Sequence, residues 1–258
     1  MKALHIIIFL CVANLLNAQP NIISQADEAY MADKFETAME LYQDALKLEG
    51  SSPQLYYNMG NTAYRLGYLG DAVLYYKRAL KQDPSFTDAR TNLEFVQTKL
   101  VDEQTHNKSL TTKITENVMF LMTPNAWAIV GIIFLIVFLY FLSQYILGST
   151  VGIRKISFFG GLAAIALCVL TTYIAFYSST MARDNREAVI TSPVVQLSTV
   201  PRVPTDKSQQ AFTLHEGTLV EIIDSLTVPT DTVNPKWIEV RVNNEHRAWL
   251  PATTLTRI

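Results

Sequence analysis

Cysteine is almost missing from this chain: there are two in 258 residues, Cys11 and Cys168, and both sit inside apolar runs. Any soluble domain must therefore hold together through its own core, without a disulfide. Histidine is scarce as well, with His106, His215 and His246 scattered beside polar or turn residues. There is no His-Glu-x-x-His, no paired cysteines for zinc, no phosphate-cradling glycine loop with a lysine and no nucleophile elbow. These absences give a non-enzymatic reading with no catalytic residue, no cofactor and no metal. A basic excess is also lacking. Ten Lys/Arg face fourteen Asp/Glu over 19–123, and eight face nine from 182 onward. Binding along a phosphate backbone needs the opposite balance, so nucleic acid is excluded as a partner.

Charge is missing most completely where it is most informative. No Asp, Glu, Lys or Arg occurs between Glu116 and Arg154, nor again from Ser157 to Met181. Runs of roughly 20 apolar residues match a hydrocarbon core about 30 Å thick. Transmembrane helices are expected over 124–147 and 157–181, the first opened by Thr123-Pro124 as cap and first-turn proline. The 148–156 loop between them carries Arg154 and Lys155 and no acid, which places it in the cytoplasm and both flanking domains outside. With no charge inside either span, the helices anchor and do not transport. At the start of the chain, Lys2, the apolar Ala3–Leu16 stretch and Asn17-Ala18-Gln19 read as a signal peptide over 1–18. An uncleaved anchor is the alternative. A polar linker covers 102–123, and its Ile114–Met122 end either lies in the interface or extends the first span.

What is present between the signal and the linker is an internal repeat. Sliding the sequence by 34 residues lays Ala38 on Ala72, Tyr42 on Tyr76, Ala45 on Ala79 and Leu46 on Leu80. The second copy is clearer, with Tyr56, Met59-Gly60-Asn61, Ala63-Tyr64, Gly67, Ala72, Tyr76, Ala79-Leu80 and Asp83-Pro84. This resembles the tetratricopeptide repeat. Two units plus a closing helix are expected over 22–101. So short an array is marginal alone and calls for docking on a partner or on further copies of the chain. The resemblance implies a groove lined by the first helix of each unit. Tyr57, Asn58, Asn61, Tyr64 and Arg65 would face or flank it as partner-binding residues, plain solvated surface being the alternative for each. The members that clamp C-terminal carboxylates use lysine, arginine and asparagine there. Here Ile23, Asp27, Asn58, Asp88 and Asn92 stand in those places, which speaks against that ligand.

The texture changes again over 187–258. Short apolar alternations at 188–190, 194–197, 218–223, 237–242 and 248–250 read as strands of a small, partly open barrel. His215-Glu216-Gly217-Thr218 as a turn, Trp237-Ile238-Glu239-Val240, Asn243-Asn244 as a hairpin turn, and Ala248-Trp249-Leu250-Pro251 resemble a bacterial SH3-like domain. The resemblance implies Trp237 and Pro251 as ligand-holding residues, with Trp249 in the core.

The fold class is thus multi-domain: an α-helical repeat domain, a transmembrane hairpin and an all-β SH3-like barrel. Signal, repeats, two spans and SH3-like domain in that order resemble the BatE-type membrane proteins of the Bacteroides aerotolerance operon. The resemblance implies a periplasmic scaffold at a bacterial inner membrane, acting in oxidative or envelope stress. Its implied partners are membrane proteins with von Willebrand type A domains, with a MoxR-type ATPase inside the cell. The alternative is a peptidoglycan-binding or wall-sensing protein acting through the SH3-like domain.

Overall fold

A computed structural model of the protein describes residues 21–102, 118–119, 121–183, 185–228, 234–242 and 246–258. The expected signal, most of the linker, His106 and the Asn243-Asn244 turn lie outside them.

Five helices form the first body: α1 (Ile22–Met31), α2 (Phe35–Glu49), α3 (Pro53–Leu66), α4 (Leu69–Gln82) and α5 (Thr87–Gln97). Local chemistry sets several of their ends. Asn21 accepts from the Ile23 N–H to open α1, and Ser52 accepts from the Leu55 N–H to open α3, with Pro53 in its first turn. Small residues allow the helices to nest. A Cβ on Gly60 would come within 2.6 Å of the Tyr76 ring, so glycine lets that ring sit closer than a larger residue would. Ala26 takes the equivalent place under Tyr42 and is fully buried.

Two long apolar helices follow, α6 (Pro124–Leu147) and α7 (Val151–Arg183), packed along their lengths as a hairpin. Both are long and apolar enough to cross a membrane. Arg154 and Lys155 stand in the first turns of α7, and the Arg154 Nε donates to the Gly148 carbonyl at 2.9 Å. Close approach comes from small residues. Gly160 lies under the Phe141 ring, and a Cβ on Gly131 would meet the Thr172 hydroxyl at 3.0 Å.

The third body is a seven-stranded antiparallel sheet in the order β3-β2-β6-β5-β4-β1-β7. Its strands are β1 (Glu187–Ile190), β2 (Val194–Ser198), β3 (Gln210–His215), β4 (Leu219–Thr227), β5 (Lys236–Arg241), β6 (Arg247–Pro251) and β7 (Leu255–Arg257). Two corrections to the sequence reading follow. Gln210–His215 is a strand, although its mixed polar sequence hides the alternation. The end strands β3 and β7 pair only with β2 and β1 among the described residues, so the sheet does not close into a barrel. One face carries the core, with Ala188, Ile190, Leu197, Val220, Ile222, Ile238, Val240 and Leu250 at alternate positions.

The larger correction concerns independence, because the helical body and the sheet share a core. Val189, Leu219 and Ile258 pack with Val73, Tyr76, Leu93 and Leu100 in one cluster. Strand β1 therefore lies between two cores: Ala188 and Ile190 face the sheet interior, while Val189 faces the helices. Polar contacts edge the seam. Asp102 accepts from the His215 N–H and the Thr218 hydroxyl, each at 2.7 Å, and pairs with His215 Nδ1 at 2.9 Å. Burial opposes the charged Asp102 carboxylate, but those hydrogen bonds outweigh it and its pKa falls below the ordinary value. Lys81 donates to Asn185 Oδ1 and to the Ile258 carbonyl oxygen, and Arg78 to the Arg257 carbonyl. Helix α4 has no side-chain cap from its own flank, and the sheet provides one, since the Gly70 N–H donates to Glu216 Oε2 at 2.9 Å. Gly70 itself is the point of closest approach, for a Cβ there would lie 3.0 Å from the Ile190 carbonyl. The short array does dock, and its partner is the β-sheet of its own chain.

Candidate functional site

The inner row of the array consists of α1, α3 and α5, and a hydrogen-bond ladder ties these helices together. The Tyr42 hydroxyl and the Asn58 side-chain amide both donate to Asp27 Oδ1, at 2.5 and 3.1 Å. Thirty-four residues on, the Tyr76 hydroxyl and the Asn92 amide both donate to Asn61 Oδ1, at 2.7 and 2.9 Å. The two rungs are copies: Asp27, Tyr42 and Asn58 map onto Asn61, Tyr76 and Asn92. Burial raises both phenols well above their usual range, and the Asp27 hydrogen bond and charge raise Tyr42 further. Both hydroxyls remain donors at any physiological pH.

The residues expected at a groove divide accordingly. Asn58 and Asn61 do face inward, but their amides hold helix to helix, and Asn58 Oδ1 also accepts from Gln54 at 3.1 Å. Tyr57 packs on the Phe86 ring at 5.0 Å and Tyr64 edge-on to Phe95 at 5.7 Å. Arg65 is exposed yet engaged. It donates to Asp33 Oδ1 at 2.8 Å and lies 4.2 Å over the Phe35 ring, pinning the α1–α2 turn to α3. Between these features opens a cavity of about 230 Å³ lined by Asp27, Tyr30, Met31, Tyr42, Asn58 and Asn61. Its rim residue Met31 is 83% exposed, and Phe95, further along the row, is 48% exposed. Tyr30, Met31 and Phe95 were not singled out from sequence. One signal was available, because the 34-residue shift also lays Tyr30 on Tyr64.

The β-sheet residues come out differently. Trp237 and Pro251 are cross-strand partners on β5 and β6, but Trp237 is 1% exposed and cannot serve as a ligand platform. Trp249, expected in the core, is only partly buried. The reason lies in strand phase. Trp237 is the second residue of β5, at an end of the strand where successive positions, Trp237 and Ile238, are both buried. Among the described residues no group of three or more His, Cys, Asp or Glu could hold a metal ion.

Comparison with known families agrees with the ladder's period. Residues 27–67 match the family model described as TPR repeat, and residues 53–86 match the model described as tetratricopeptide repeat. No curated protein matches the sequence. Helices α1 to α4 are thus tetratricopeptide repeats, with α5 continuing their ladder, and such repeats are modules for protein–protein interaction.

Proposed function

We propose that the protein is a membrane-anchored scaffold whose repeat array captures other envelope proteins on the outer side of a bacterial inner membrane. One observation carries this reading: the sheet docks on α4 and on the segment after α5, while the α1–α3–α5 row keeps its cavity and its exposed Met31 and Phe95. The docking also supports the topology, since two bodies that share a core must lie on one side of the membrane. The ends of a helical hairpin that lead to them lie on one side too. The positive first turns of α7 then face the cytoplasm. The resemblance of this order of parts to BatE-type proteins is what implies partners with von Willebrand type A domains in the same membrane, and a role in oxidative or envelope stress. The alternative, wall binding through the β-sheet, would need a platform other than the Trp237 ring, which is closed to solvent.

The test is to purify the tagged full-length protein from gently solubilised native membranes and identify what accompanies it. Other membrane proteins should be recovered, and a Met31→Ser, Phe95→Ala double variant should lose them while keeping its thermal unfolding. Retention of every partner by that folded variant would overturn the scaffold reading.

A further inference from the structure

We infer that the cavity of the first repeat unit receives a lysine or arginine side chain from a partner polypeptide, with the Asp27 carboxylate as its counter-charge; this rests on the reading of the array as a protein-binding module. The argument starts from the ladder, where the molecule contains its own control. In the second unit an asparagine, Asn61, accepts both rung hydrogen bonds through one amide oxygen. In the first unit Asp27 accepts the same two bonds, both through Oδ1. Helix packing therefore needs an acceptor oxygen at this position and does not need a charge. Asp27 carries one, together with a second oxygen, Oδ2, that accepts nothing among the described residues.

That surplus charge has no counter-ion among the described residues. Asp27 forms no ion pair among the described residues. The cations of this face are engaged elsewhere, Arg65 by Asp33 and the Phe35 ring, and Lys99 over the Phe95 ring at 5.3 Å. A cation entering the cavity would meet that carboxylate in a partly enclosed setting, where water and salt screen the attraction less than on an open surface. The remaining lining suits such a guest. Tyr30 presents an aromatic ring, and Met31 a polarizable thioether, along which the alkyl stem of a lysine or arginine can lie. The volume fits one long side chain, being smaller than the roughly 300 Å³ at which small-molecule sites begin. A side chain implies a chain to carry it, and the exposed row from Met31 to Phe95 offers that chain a path. The charge is also opposite to that of a carboxylate clamp, so an internal or exposed basic segment is the fitting ligand, and a C-terminal carboxylate is not.

The probe is a pair of fluorescein-labelled octapeptides, one alternating alanine with lysine and one alternating alanine with glutamate. Each is titrated by anisotropy against the full-length protein in nanodiscs at low salt. The lysine peptide should bind and the glutamate peptide should not. Asp27→Asn makes the first rung a chemical copy of the second, so thermal unfolding should stay unchanged while lysine-peptide affinity falls about tenfold. Glu40→Gln, which removes an exposed charge from the outer helix α2, away from that row, should leave affinity unchanged. Met31→Lys, at an exposed rim position outside the ladder, should fill the cavity from within and reproduce the loss. This variant decides the matter if Asp27→Asn fails to fold. Undiminished lysine-peptide binding in a folded Asp27→Asn or Met31→Lys variant would overturn the inference. If those variants bind the peptide normally while the Met31→Ser, Phe95→Ala variant still loses its native partners, the cation site falls and the scaffold stands.

Discussion

Asp102 illustrates how a single side chain, five residues beyond the end of α5, can join two bodies. Its pKa lies below the ordinary carboxylate value because three donors from His215 and Thr218 favour the charged form over the opposing effect of burial. An acid depressed in the native state stabilises the fold above its unfolded pKa of about 4, and that contribution is lost as pH falls through the lower native pKa. Asp102→Asn should therefore cost about 1–3 kcal/mol at neutral pH. The gap in melting temperature between variant and wild type should close as the pH drops below about 4. A gap that stays constant down to the acid limit would show that the charge is not what counts. Asp71, raised by burial and then by the nearby Glu216, acts in the opposite direction but is common to both proteins. At this scale the sequence was uneven to read. The small residues that nest under rings, Gly60 and Ala26, were visible from the repeat alignment. The burial of Trp237 was not, because which face of a strand is covered depends on what packs against it.

Strand β1 shows what the element scale adds. Ala188, Val189 and Ile190 form an unbroken apolar run, and a strand buried on one face would alternate. That run, with Leu219-Val220 paired beside it, was a legible sign that this corner of the sheet is covered on both sides. The covering helix α4 carries the matching sign: its own flank offers no cap, and Gly70 lies just inside its start. Neither sign identified the other as its partner, since nothing local links residues so far apart in sequence. Val189→Asp places an uncompensated charge between the two cores and should cost about 3 kcal/mol or more. Hydrogen exchange should then show protection lost in α4 and α5 as well as in β1, with α6 unaffected. Protection lost only within the sheet would mean that the helical body stands alone.

For the whole molecule, the order of parts was readable from composition, because apolar runs, a 34-residue period and short alternating strands each have a local signature. Their mutual packing had none, so three independent domains were expected where two of them are fused. The proposed orientation can be read by labelling, with Cys11 and Cys168 replaced by serine and single cysteines placed at Glu40, Ser149 or Asp224. A membrane-impermeant maleimide should reach positions 40 and 224 in intact spheroplasts, and position 149 only after permeabilisation. Labelling on opposite sides for positions 40 and 224 would contradict the shared core, and the reverse pattern would invert the protein. The fusion also sets a timetable for synthesis. Helix α5 ends at Gln97, but the side chains that complete its core begin at Val189 and extend to Ile258. At 5–20 residues per second, that interval lasts on the order of ten seconds. Throughout it Val73 and Leu93 have no covering strand, because the entire apolar hairpin is made between them and their partners. The array that is to hold other chains is thus itself incomplete until the sheet has been made.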